Sequence, residues 1–152
     1  MIKEKSTTTD HYERLIRILG EKNIRTQIES PFDFIQIANK GIKAVIINNF
    51  RDYFEVSKED TANMLNISSP TLYRWIKANK RLERNATIQL FEVADLFLYG
   101  EEVFGSKKNF FKWLNLPNTA LGGLEPNSLI DLPGGVAKIR DVLGRIEYGV
   151  YS

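Results

Sequence analysis

The 152-residue chain contains no cysteine and one histidine, His11. This excludes disulfide frameworks, cysteine zinc ribbons, Cys/His nucleophilic pairs and multi-histidine metal centres. No 18-residue apolar run occurs, so no segment reads as a membrane helix. The N-terminus lacks the charged, apolar and small-residue succession of a secretory signal, and the expected location is the cytoplasm. Carboxylate, Ser/Thr and Lys chemistry stay formally open. Asp131 and Glu125 beside Gly134-Gly135 come nearest to a carboxylate site with a phosphate loop, but no GxGxxG or Walker-type motif and no strand–loop–helix context accompanies them. No metal and no cofactor are expected, and the chain reads as non-enzymatic.

Net charge is also small, +2 from 21 basic and 19 acidic side chains, and by itself names no partner. The distribution is more informative. Residues 57–90 hold Lys58, Arg74, Lys77, Lys80, Arg81 and Arg84 against Glu59, Asp60 and Glu83, whereas the segments on either side are nearly balanced. One short stretch thus carries the basic excess, a pattern that matters for nucleic-acid contact.

With 43% hydrophobic residues the chain can bury a core as one or two small domains. The apolar spacing is helical throughout, and the expected class is all-α. Residues 1–9 are polar and read as frayed, followed by a short helix over 12–19 behind an Asp10 cap and ended by Gly20. Ser30-Pro31 reads as a capped start. Ile42 to Phe54 keeps period 3.6 despite the β-branched run Val45-Ile46-Ile47. A helix over 87–99 ends at Gly100, and short helices follow over 107–114 and 136–147. The expected domains are an N-terminal helical extension over 1–40, a central domain over 41–100 and a C-terminal domain over 101–152.

Between Lys58 and Lys77 the residues fit a helix-turn-helix, in which one helix braces a second that enters the major groove. Ser57 caps the first helix, Ala62 is the small residue at the crossing, Leu65 anchors the helix end, and Asn66 takes the left-handed turn. Ile67, Leu72 and Trp75 face inward. Ser68, Ser69, Pro70, Tyr73, Arg74 and Lys77 are left facing the groove, where Arg74 can make a bidentate contact to guanine. Lys80, Arg81 and Arg84 continue as phosphate-positioning cations. A solvated basic face on a plain helical hairpin is the plainer alternative.

The C-terminal segment is turn-rich, with Pro117, Gly122-Gly123, Pro126, Pro133 and Gly134-Gly135 ahead of an amphipathic helix. Rigid loops of this type suit the presentation of contacts to a partner. Trp113-Leu114, Pro117-Asn118, Ala120-Leu121-Gly122-Gly123, Pro126, Leu129-Ile130-Asp131, Leu143 and Arg145-Ile146-Glu147 with Gly149 closely resemble the pattern of the MbcA/ParS/Xre antitoxins, the partners of RES-domain toxins. Upstream, Ile67-Ser68, Thr71-Leu72, Arg74, Leu82 and Val103-Phe104-Gly105 are also similar. Trp75 departs from the pattern where many members carry a second basic residue, and residues 1–40 match nothing in it.

The resemblance implies a C-terminal domain that covers an NAD-consuming toxin and a helix-turn-helix that represses the protein's own operon. Arg145, Glu147, Tyr148 and Tyr151 are the expected toxin contacts, because they lie at or beyond the end of the last helix and off its Ile139/Leu143/Ile146 stripe. A homodimer is expected, since two-fold assembly doubles the base pairs read. The competing function is a free-standing repressor whose C-terminal domain serves dimerisation or binds a small ligand.

Overall fold

The computed structural model describes the backbone of residues 2–149 and the side chains of residues 8–149. It is all-helical, as expected. Its helices are α1 (Ile2–Leu19), α2 (Phe32–Lys40), α3 (Val45–Phe54), α4 (Lys58–Met64), α5 (Ser69–Ala78), α6 (Arg84–Phe104), α7 (Lys107–Leu114) and α8 (Gly135–Glu147). Thr119–Leu121 and Pro126–Leu129 form single 3₁₀ turns in the loop before α8. Among the described residues no strand forms, and β-type pairing is limited to isolated bridges at Lys43–Arg81 and Asn118–Leu124. The β-branched run Val45-Ile46-Ile47 is helical, with Ile46 and Ile47 fully buried.

The chain divides into two compact units, Met1–Ala94 and Asp95–Ser152. The division falls inside α6, ahead of the Gly100–Gly105 stretch where the change in composition lies. Residues 1–40 belong to the first unit and help build its core. Leu15 and Leu19 of α1 and Phe34 and Ile37 of α2 are buried, and the Phe34 and Phe91 rings lie 5.4 Å apart. Asn49 Nδ2 donates to the Leu19 carbonyl at 2.7 Å, which fixes α3 against the end of α1. Each such fully buried apolar side chain contributes roughly 1.5–3 kcal/mol.

Several local expectations are corrected. α1 begins at Ile2, so residues 2–9 are helical and Asp10 lies mid-helix instead of capping it. The reason is that no Gly or Pro interrupts 2–19 and Lys3, Glu4 and Lys5 are good helix formers. Ser30 does not cap α2 through its side chain; Asp33 reaches back, its Oδ2 accepting from the backbone N–H of Glu29 at 2.8 Å and of Ser30 at 3.2 Å. His11, which a polar-flanked short helix would leave on the surface, is buried at 8% exposure, edge-on to Tyr12.

Gly100 does not end α6, which continues to Phe104. Its role is close packing. A Cβ there would stand 2.1 Å from the Phe110 ring. The second unit is built around that ring, with Phe97 and Phe110 at 5.7 Å edge-to-face and Phe104 and Trp113 at 5.5 Å. Gly135 at the start of α8 is equally constrained, since a Cβ would fall 1.6 Å from the Leu129 carbonyl oxygen.

Candidate functional site

The side chains expected from the sequence to be functional fall on two surfaces, one in each unit. In the first, α4 and α5 form the compact helical pair that the Ser57–Lys77 spacing implies. Ser57 Oγ accepts from the Asp60 N–H at 3.0 Å, capping α4. Asn66 adopts φ +58 at the turn, and the Ile67 N–H donates to the Ala62 carbonyl at 3.0 Å, which closes the corner. Ala62 is 1% exposed and Leu72 fully buried, so the crossing and the central anchor stand where the register puts them; Ile67 and Trp75 are half-buried.

Ser68, Ser69, Pro70, Tyr73, Arg74, Lys77, Lys80 and Arg81 are all exposed. They are not equally free. Ser68 Oγ caps α5 by accepting from the Thr71 N–H at 3.2 Å, and it donates to Thr71 Oγ1 at 2.8 Å. Arg74 Nη2 donates to the same Thr71 oxygen at 3.2 Å. Tyr73 is 52% exposed, and its ring has the Lys58 ammonium at 5.3 Å and that of Lys77 at 5.8 Å from its centroid. These are cation–π distances, and they gather one cation from α4 and one from α5 on a single aromatic side chain.

Arg81 and Arg84 are tied to the end of α2. Arg81 Nη1 donates to the Lys40 carbonyl at 2.9 Å, and Arg84 Nε to Asn39 Oδ1 at 2.7 Å. Gly41, at φ +87, leaves room for the Arg81 stem, whose Cδ would lie 2.8 Å from a Cβ there. The backbone completes the clamp: the Ala44 N–H donates to the Lys80 carbonyl and the Leu82 N–H to the Ile42 carbonyl, both at 2.9 Å. Asn79, left-handed at φ +46, accepts from the Val45 N–H through Oδ1 at 3.1 Å. Arg81 and Arg84 are thus held against the end of α2, whereas the Arg74 bond stays within α5 and Lys77 lies over Tyr73 of its own helix.

In the second unit, the turn-rich loop is held largely by its own backbone. The Asn118 N–H donates to the Leu124 carbonyl at 3.0 Å, and Gly122 and Gly123 take positive φ between them. Asn127 Nδ2 reaches Asn115 Oδ1 at 3.2 Å, tying the loop back to the end of α7. On α8, Arg140 pairs with buried Asp95 at 2.9 Å and stacks on the Tyr99 ring, 4.8 Å from its centroid. Tyr99 donates to Glu147 Oε1 at 2.7 Å. Burial first, then the Glu147 carboxylate, pushes the Tyr99 phenol well above its ordinary range.

Two of the expected toxin contacts are thus engaged within the domain, Glu147 with Tyr99 and Arg145 with Asp141 at 2.7 Å. Tyr148 stands clear at 77% exposure, and Tyr151 lies outside the described residues. The structure adds apolar side chains that periodicity could not mark. Leu116 and Leu132 are each 50% exposed and Leu124 52%, all on the loops around α7 and α8. The signal available for them was a leucine beside a Pro or Gly turn with no helical stripe to enter. On the first surface, Lys58 and Thr71 are the comparable additions.

The second unit is thus a small helical module that exposes three leucines on its loops and a tyrosine at the end of α8. Residues 100–149 match the antitoxin Xre/MbcA/ParS C-terminal toxin-binding domain. Related proteins share most of its length. Antitoxin Xre of Photorhabdus laumondii is 21% identical over 117 residues, 76% of this chain and 79% of that protein. The Prs ADP-ribosylating antitoxin of a Sphingobium species is 25% identical over 132 residues, 81% and 83% of the two chains. Antitoxin Xre of Yersinia enterocolitica is 23% identical over 113 residues, 74% and 76%. All three relatives are named antitoxins. No described helix is long and apolar enough to cross a membrane.

Proposed function

We propose that the protein neutralises a RES-domain, NAD-degrading toxin through residues 101–152 and represses its own operon through the α4–α5 pair, acting as a homodimer in the cytoplasm. The observation that carries this reading is the union, in one chain, of a toxin-binding domain with a helix pair whose capped, exposed second helix bears Tyr73, Arg74 and Lys77. One relative is named an ADP-ribosylating antitoxin, and ADP-ribosyl transfer draws on NAD, which supports an NAD-directed toxin as the partner class.

Neutralisation needs only that the end of α8 and the neighbouring loops obstruct the toxin's substrate cleft. Tyr148, with Arg145 and Tyr151, supplies the tail contacts, and Leu116, Leu124 and Leu132 supply apolar area of the kind enriched at interface cores. On the other surface, Arg74 reads base edges while Lys77, Lys80 and the outer face of Arg81 approach phosphates. Ser68, Ser69 and Pro70 form the helix start from which the backbone dipole favours a phosphate oxygen.

Co-expression with the product of the adjacent gene tests the first half: the two proteins should co-purify, and intracellular NAD should fall when the toxin is expressed alone and recover with both. Retardation of DNA from upstream of the operon tests the second half. A toxin that never co-purifies would remove the first half, and unretarded promoter DNA the second.

A further inference from the structure

The recognition surface contains a hydrogen-bonded relay. Ser68, Thr71 and Arg74 fall at i, i+3 and i+6 on one side of α5, and their side chains are linked in series. Ser68 Oγ is fixed first, because it caps the helix by accepting from the Thr71 N–H. Its proton points to Thr71 Oγ1 at 2.8 Å, so the threonine hydroxyl is set in turn. Arg74 Nη2 then donates to that oxygen at 3.2 Å. Thr71 Oγ1 accepts from both neighbours and keeps its own proton for an outside acceptor. Arg74 has five N–H donors, and one bond to Thr71 leaves the rest of the fork for a partner.

We propose that Thr71 is a positioning residue that holds the Arg74 guanidinium for base reading and so sets the protein's sequence preference on DNA; this rests on the proposed DNA-binding role of α5. An exposed arginine samples many rotamers, and ordering it on binding weakens the complex. A hydroxyl that holds the side chain beforehand removes part of that cost, worth about two- to tenfold in affinity. The gain goes to the sequence that the held fork matches. A bidentate fork requires a defined plane, whereas a phosphate contact accepts many.

The test uses the full chain and a duplex selected by the wild-type protein from a randomised pool, beside a scrambled duplex of equal length. Thr71→Val keeps shape but removes the acceptor. It should lose about two- to tenfold on the selected duplex, change nothing on the scrambled one and leave the melting temperature close to wild type. Thr71→Ser should restore affinity. In an Arg74→Ala background, Thr71→Val should cost nothing further. Equal losses on both duplexes, or an undiminished loss without Arg74, would overturn the relay while leaving DNA binding intact. Failure of the wild-type pool to enrich any sequence would overturn the DNA-reading role, and the relay with it.

Discussion

The two surfaces are built by opposite means. Around α5 the side chains do the organising: Ser57 and Ser68 cap, Thr71 braces Arg74, and Tyr73 gathers Lys58 and Lys77, while the cations themselves stay exposed. In the second unit the backbone does it. Gly100 and Gly135 permit approaches that no Cβ would allow, and the charged residues Asp95, Arg140 and Glu147 are turned to internal bonds. Under the proposed division of labour, the surface offered to a polyanion holds its cations exposed, and the surface offered to a protein partner shows apolar and aromatic side chains, here Leu116, Leu124, Leu132 and Tyr148.

This contrast can be broken most forcefully at Gly135. Gly135→Ala would drive a Cβ into the Leu129 carbonyl, which cannot yield as a flexible side chain would, and should destabilise the second unit by about 3 kcal/mol. Calorimetry should show a lower melting temperature, and toxin protection should fall while DNA binding at low temperature persists. If the variant melts like wild type, shape in this domain does not depend on that close approach.

The next effect is at Arg74. Arg74→Ala should weaken operator binding by about 1–3 kcal/mol and relax base preference, whereas Lys80→Ala should weaken all duplexes alike and make the salt dependence shallower. Anisotropy titrations at two salt concentrations separate these outcomes. Identical losses on operator and scrambled DNA for Arg74→Ala would reduce α5 to a non-specific cationic face.

Arg81 sharpens the comparison because it sits between the two modes. Its bond to the Lys40 carbonyl makes it part of the clamp that holds α2 to the basic loop, and Arg81→Ala should cost about 1 kcal/mol of stability. A thermal melt checks this. An unchanged melting temperature together with a flatter salt slope would assign Arg81 to phosphate alone.

The smallest expected effect is alkaline. Tyr99 is held neutral in the folded state, its pKa raised above the usual value near 10 by burial and by Glu147. The unfolded phenol loses its proton first, so the contribution of Tyr99 to stability is complete below about pH 10 and declines as pH rises beyond it. Tyr99→Phe should flatten that part of the stability profile. A profile with the same alkaline slope in the variant would remove Tyr99 as its source.

Much of the first surface was legible in the sequence because it follows local rules. A serine three residues before a free N–H, an asparagine at a left-handed corner and alanine at a crossing each act within one turn of chain. Ser57, Asn66, Ala62 and Leu72 accordingly stand where their spacing put them. What the sequence concealed depends on distant partners. Gly100 looks like a helix end until Phe110, ten residues on, is seen to occupy its missing side chain. Arg81 and Arg84 look like free cations until Lys40 and Asn39 are found beneath them. Glu147 looks solvated until Tyr99 is placed beside it. The place of residues 1–40 in the first core was hidden for the same reason, since helical stripes show that a face is buried but not against what.

The central claim is that toxin and DNA are held by different units of one chain. The most direct measurement is the calorimetric affinity of the full protein for the toxin encoded beside it, compared among wild type, Tyr148→Ala and Arg74→Ala. Tyr148→Ala should weaken toxin binding by about tenfold, as expected for loss of an exposed aromatic anchor, and Arg74→Ala should leave it unchanged. Full affinity in Tyr148→Ala together with a loss in Arg74→Ala would contradict the account, because the toxin would then be held by the α4–α5 surface.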